Sequence, residues 1–362
     1  MRGLRDRLLS LLRTVRRVES HAPGRGRGAC VHVVILDGTM SSLEEGAETN
    51  AGLIHKLLCD LPASDRVFVY YEAGVQWRAW GHTFDVAMGR GINRQIRRAY
   101  GWLASHYRPG DRIFLFGYSR GAFAVRSLAG LIDRVGLLTA EAATERNVTL
   151  AYRHYRSARP RPAQAAFVRA FCHASVEVEM IGVFDTVKAL GLRLPLLWLL
   201  TETQHSFHNF RLGPMIRSGF HALALDETRS VYEPVLWDRT AEGRTEVEQV
   251  WFRGTHGDVG GQLGGFAPAR PLANIPLLWM LERAAARGLP LPDGWRDRYR
   301  TDPLAPSVGT WRGLGALFLF RAPRIAGRDG SESLHPTALI ARDRPPRARF
   351  GPVLGGTPRR PA

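Results

Sequence analysis

From Val31 onward, short apolar runs alternate with segments of helical periodicity. VHVVIL (Val31–Leu36) and RVFVYY (Arg66–Tyr71) are β-branched and aromatic and predict strands, with a helix around Ala51–Cys59 between them. Ile92, Ile96, Ala99, Leu103 and Tyr107 recur at three- and four-residue spacing, which predicts a helix that stops at Pro109-Gly110. IFLF (Ile113–Phe116) then reads as a strand covered on both faces. Helices are expected over Ala122–Leu131, Thr139–Ser157 and Ala273–Arg287, and strands over Val176–Phe184 and Val247–Phe252. This alternation predicts βαβ units, and hence an α/β fold with a mainly parallel sheet and helices on both faces.

Three parts follow from the pattern. Residues 1–29 carry Leu4, Leu8, Leu11 and Leu12 beside Arg2, Arg5, Arg7, Arg13, Arg16 and Arg17, a basic amphipathic extension compatible with peripheral membrane contact or with simple solvation. Arginines break its apolar stretch and no small-residue cleavage site follows, so it does not read as a secretory signal. Residues 30–290 form the main domain, interrupted by an insertion at about 188–244, and residues 291–362 are rich in Pro, Gly and Arg and are expected to pack partly on the domain with little core of their own.

Composition narrows the classes. A chain of 362 residues that is 45% hydrophobic and 23% charged is globular, and its most apolar stretch, Ala189–Leu200, is too short and too interrupted to span a bilayer. Cys30, Cys59 and Cys172 are too few and scattered for a disulfide framework or metal cluster, so no metal is expected and the compartment reads as reducing and cytoplasmic. The net charge of +17 invites an anionic partner, yet all but two of the 50 basic residues are arginine and no nucleic-acid motif accompanies them. Nucleic acid is therefore not the expected partner.

The candidate chemistry centres on Gly117-Tyr118-Ser119-Arg120-Gly121, a G-x-S-x-G set between an apolar run and a helix. A sharp strand-to-helix turn exposes the serine hydroxyl at the helix N-terminus, and Gly117 and Gly121 leave room for the strained backbone. An ordinary glycine-rich turn is the competing reading. A serine nucleophile needs a histidine base and an orienting carboxylate. His256, in GTHGDVGG after the strand Val247–Phe252, is the expected base. Asp185, at the end of Val176–Phe184, is the expected carboxylate; Asp226 is its rival but falls on a stretch that reads as helical. Asp258, two residues from His256, is expected to order the histidine loop. The oxyanion donors would be the Arg120 N–H and the loop Gly38–Thr39 after the first strand, with Asp37 in support. The same LDGT is similar to the DxDGT loop of aspartate-based phosphatases, but Ile35 stands where their attacking aspartate would be.

LDGT (Leu36–Thr39), YYEAGV (Tyr70–Val75), PGDRIFLFGYSRGAFAVRSLAGLI (Pro109–Ile132), GVFDTV (Gly182–Val187), HALALDETR (His221–Arg229), GTHGDVGG (Gly254–Gly261) and ESLHP (Glu332–Pro336), in that order, resemble the α/β-hydrolase family known as domain of unknown function 2235. That family is related to the catalytic domain of type VI secretion phospholipase effectors. Gly81–Ile92 is less glycine-rich than the family loop at that place. The resemblance implies an α/β-hydrolase fold with a cap-like insertion, the triad Ser119, Asp185 and His256, no cofactor, and a carboxylic ester substrate, lipid or phospholipid included. Export by a specialised secretion system fits it, and protein partners are left open. The alternatives are an idle hydrolase scaffold that binds a partner, or a basic protein that binds membranes or nucleic acid.

Overall fold

The structure is a computed structural model that describes residues 28–63, 66–74, 90–157, 162–187, 211–238, 245–311, 318, 320–340 and 348–354. The amphipathic stretch before residue 28, the apolar stretch 189–200 and most of the loop 81–92 lie outside the described residues.

Seven strands form one sheet: β1 (Val31–Leu36), β2 (Val67–Glu72), β3 (Arg112–Tyr118), β4 (Val178–Phe184), β5 (Ser218–Ala224), β6 (Glu246–Phe252) and β8 (Glu332–Leu334). Their order is β2-β1-β3-β4-β5-β6-β8, and every pairing is parallel. The helices are α1 (Asn50–Cys59), α2 (Arg90–His106), α3 (Arg120–Val135), α4 (Glu145–Arg156), α5 (Pro162–Phe171), α6 (His256–Gly260) and α7 (Arg270–Ala286). Two further short strands, β7 (Ile325–Ala326) and β9 (Arg349–Phe350), pair with each other.

The period of two along each strand divides the core. Val34, Leu36, Leu115, Ile181 and Val183 face the layer of α2, α3 and α4, where they meet Ile96, Tyr100, Leu128 and Tyr155. Val33, Ile35, Phe114, Phe116 and Phe184 face the opposite layer of α1 and α7, where they meet Ile54, Leu57, Leu277 and Met280. With both faces covered, β1 and β5 are buried along their whole length. Each fully buried Leu, Ile or Phe contributes roughly 1.5–3 kcal/mol, so the two layers fix the strand order and with it the carboxyl edge where the loops gather.

Two expectations are corrected. The segment carrying HALAL is strand β5 between β4 and β6, so Asp226 sits in the loop after a strand, and the span 188–244 contains a central strand of the sheet. The helix expected over Thr139–Ser157 begins only at Glu145, where Thr144 caps it, and a second helix, α5, follows. The C-terminal segment packs on the domain in its described residues. It supplies β8, and it buries Ala326, Ala338 and Ala348 against Leu223, Leu225 and Trp251. Glu332 anchors it, since its carboxylate accepts from the Trp251 indole (2.8 Å) and from the Gly327 and Arg328 amides.

Candidate active site

The elbow between β3 and α3 is a consequence of close packing. A Cβ on Gly117 would stand 2.7 Å from the Ala122 Cα, and one on Gly121 would stand 2.1 Å from the Leu36 carbonyl oxygen. Only glycine at both places lets the turn close. Ser119 between them has φ 56° and ψ −120°, a conformation that costs an L-residue on the order of 1–3 kcal/mol. Serine at a helix N-cap ordinarily accepts from an amide of the first turn, but Ser119 makes no such bond. Its Oγ lies 2.9 Å from His256 Nε2.

His256 opens the short helix α6 just beyond β6 and is 5% exposed. Its Nδ1 lies 2.5 Å from Asp185 Oδ2. Asp185, at the end of β4, has φ 42° and is wholly buried. The three side chains therefore form one chain of hydrogen bonds across the carboxyl ends of β3, β4 and β6. Burial alone would raise the Asp185 carboxyl, but the Arg324 guanidinium and the His256 hydrogen bond outweigh it and hold the group well below the usual carboxylate range.

Two aromatic rings pack on the imidazole. Tyr232 stacks on it at 4.5 Å between centroids, and Tyr118 leans on it at 4.9 Å. Tyr118 in turn fills a slot that glycine makes, since a Cβ on Gly260 would come within 1.9 Å of its ring and one on Gly38 within 2.5 Å. The His256 backbone N–H donates to Glu227 Oε2 (3.2 Å), and Glu227 is paired with Arg229, whose guanidinium lies over the Tyr232 ring. Burial would raise the Glu227 carboxyl, but Arg229 more than compensates and its pKa falls below the ordinary value.

Asp258 binds the histidine loop together: Oδ2 accepts from the Thr255 amide (2.7 Å) and from the Thr255 and Ser307 hydroxyls, while Oδ1 accepts from the Val308 amide (2.9 Å). Asp226 sits elsewhere. Its carboxylate accepts from the Gly254 amide (2.8 Å), and its own amide donates to the Gly254 carbonyl (2.9 Å), which holds the start of the histidine loop.

The loop Gly38–Thr39 abuts the elbow, because the carbonyls of Leu36 and Asp37 press on Gly121. One expected donor is lost there: the Gly38 N–H donates to Asp37 Oδ1 (2.6 Å) and is spent on its own loop. Asp37 also accepts from the Thr49 hydroxyl (2.6 Å) and the Tyr71 hydroxyl (2.8 Å). Burial pushes its carboxyl up to about 6 despite these bonds. Arg120 is the first residue of α3, so its backbone N–H is among those with no acceptor inside the helix.

Arg324, Glu227, Arg229 and Tyr232 escape sequence reading. None has a local pattern of its own; Glu227 and Arg229 stood in a quoted motif, beside the Asp226 that drew attention. Among the described residues no group of three or more His, Cys, Asp or Glu is arranged to hold a metal ion, and no helix is long and apolar enough to cross a membrane.

A family model described as the type VI secretion phospholipase effector Tle1-like catalytic domain matches residues 31–283. An uncharacterised protein of Saccharomyces cerevisiae is 27% identical over 227 residues, which cover 56% of this chain and 32% of the yeast protein. Among solved structures, an uncharacterised protein from Pseudomonas aeruginosa aligns at a TM-score of 0.42 and 16% identity over 82% of this chain and 50% of its own. The Tle1 effector bound to the VgrG spike of the type VI secretion system aligns at 0.38 and 17% identity, over 67% of this chain and 53% of its own. The chain thus spans between a third and about half of the length of these relatives.

Proposed function

The chain belongs to the Tle1-like family of type VI secretion phospholipase effector catalytic domains, and on that premise we propose that it is a serine hydrolase cleaving the carboxylic ester of a lipid. The observation that carries the reading is the continuous hydrogen-bond chain from Ser119 Oγ through His256 to Asp185. A serine hydroxyl is a weak nucleophile until a base within hydrogen-bond reach can take its proton.

In this mechanism Ser119 Oγ attacks the ester carbonyl carbon while its proton passes to His256 Nε2. The imidazolium so formed is stabilised by the Asp185 carboxylate at Nδ1. The negative charge moves to the carbonyl oxygen, where the Arg120 N–H at the start of α3 and the Thr39 N–H are the proposed donors, since the Gly38 N–H is already spent. Collapse of the tetrahedral intermediate breaks the ester C–O bond, and the leaving alkoxide takes the proton from Nε2. Water then attacks the acyl-enzyme with His256 as base, releasing the fatty acid and restoring Ser119.

Hydrolysis of acetyl and octanoyl p-nitrophenyl esters by wild type and Ser119→Ala tests the reading. Each buried methylene contributes on the order of 0.8 kcal/mol, so kcat/KM should rise at least about tenfold from acetyl to octanoyl in wild type. Ser119→Ala should be inactive on both. A flat chain-length profile would remove the lipid and leave a small-ester hydrolase; equal activity in Ser119→Ala would remove the serine mechanism.

A further inference from the structure

The carboxylate of Asp185 is gripped from a segment beyond residue 283, where the family match ends. Arg324, immediately before β7, is 6% exposed. Its Nη1 donates to Asp185 Oδ1 (2.6 Å) and to the Ala224 carbonyl (2.8 Å), and its Nη2 donates to Asp185 Oδ2 (2.9 Å) and to the Tyr232 carbonyl. The planar guanidinium thus meets the carboxylate with both forks and joins it to the ends of β5 and of the Tyr232 turn. Together with the Ala224 amide (3.0 Å on Oδ1) and His256, this places two donors on each carboxylate oxygen.

We propose that Arg324 is a positioning residue that fixes the Asp185 carboxylate for His256 and tempers its pull on the imidazole. The inference rests on the serine-hydrolase reading above. An isolated buried carboxylate is free to rotate about its last bond and presents a full negative charge to the imidazole. A carboxylate held by a bidentate guanidinium presents one oriented oxygen and a nearly neutral pair. Oriented in this way, it stabilises the imidazolium formed during attack. The anchor lies in the C-terminal segment itself: the Arg349 amide donates to the Arg324 carbonyl (2.7 Å), and Glu332 ties the following turn to Trp251 on β6.

Other charges surround His256 and set the background against which Arg324 acts. Glu227 and Tyr232 contact it from the segment after β5, with Arg229 held on both of them, Tyr118 and Arg120 flank the elbow, and Asp258 lies on its own helix. Among these charged side chains of the described residues, Arg324 is the one that touches the Asp185 carboxylate, beside the Ala224 amide.

The test follows the rate of covalent labelling by a fluorophosphonate, and kcat/KM on an octanoyl ester, as functions of pH in wild type, Arg324→Gln and Arg324→Lys. Arg324→Gln removes the charge and should lower kcat by about thirtyfold or more with little change in KM, as expected for a group that acts in the transition state. Its acid limb should move up by about one pH unit, because an unopposed carboxylate holds protons at the site more strongly. Arg324→Lys keeps the charge and loses the fork, so it should keep the wild-type acid limb and show an intermediate kcat. Should Arg324→Gln not fold, Arg324→Lys and the rescue of Arg324→Ala by added guanidinium carry the same test. Wild-type labelling rates and an unshifted acid limb in Arg324→Gln would overturn the proposal, as would an Arg324→Lys as slow as a folded Arg324→Gln. Failure of wild type itself to label would overturn the hydrolase reading beneath it.

Discussion

The ring of Tyr232 lies flat on the imidazole of His256, with planes 11° from parallel. The same ring carries the Arg229 guanidinium at 4.4 Å, so Tyr232 touches both a permanent cation and the imidazole. Tyr232→Phe keeps the stack and should retain activity within about twofold, whereas Tyr232→Ala should lose about three- to tenfold, the equivalent of an aromatic pair worth roughly 0.5–1.5 kcal/mol. Steady-state kinetics on one ester distinguish the two. Equal losses would assign the effect to the hydroxyl instead of the ring.

Asp185 and Asp226 should separate cleanly. Asp185→Asn turns an amide toward His256, favours the wrong tautomer and should lower turnover by about four decades. It also strands the buried Arg324, which should cost about 3–5 kcal/mol in unfolding free energy. Asp226→Asn retains an oxygen for the Gly254 amide and should stay within about threefold in turnover. A larger loss for Asp226→Asn would move the carboxylate role to that loop.

Much of this site is legible in the residues because its parts obey local rules. Ser119 stands between an apolar run and a helix, and Asp185 and His256 each follow a strand that ends on an apolar run, MIGVF and VWF. β5 is harder to read. Ala222-Leu223-Ala224 are good helix formers, and the segment is a strand because neighbours on both edges and cover on both faces override that propensity. Arg324 is one of many arginines in a Pro/Gly/Arg-rich stretch. What distinguishes it is a partner 139 positions away, and no local pattern encodes that distance.

Glycine substitutions should fall into two classes. Gly121→Ala drives a methyl into the Leu36 carbonyl and should destabilise the protein by about 3 kcal/mol or more, with loss of labelling at Ser119. Gly101 lies inside α2 with only ordinary contact to Val148, so Gly101→Ala should stabilise by about 0.5–1 kcal/mol. Thermal unfolding of the two variants reads both signs.

Asp37 predicts a pH dependence of stability. Its folded carboxyl titrates at about 6 against 3.8 unfolded, so between those values the native state holds more protons and stability falls as pH rises. The loss should level off above pH 6 at about 3 kcal/mol. Asp37→Asn removes this titration. Urea unfolding of the variant and of wild type from pH 4 to 7 should show the variant gaining on wild type by that amount. A constant difference across the range would contradict the buried, high-titrating carboxyl.

The central claim is that Ser119 is a nucleophile activated by His256. Fluorophosphonate treatment of the folded protein, followed by peptide mass spectrometry, tests it most directly. One adduct on the peptide containing Ser119, absent in Ser119→Ala and slowed by about three decades or more in His256→Ala, is the predicted result. No adduct in folded wild type, or one that persists in Ser119→Ala, would contradict it.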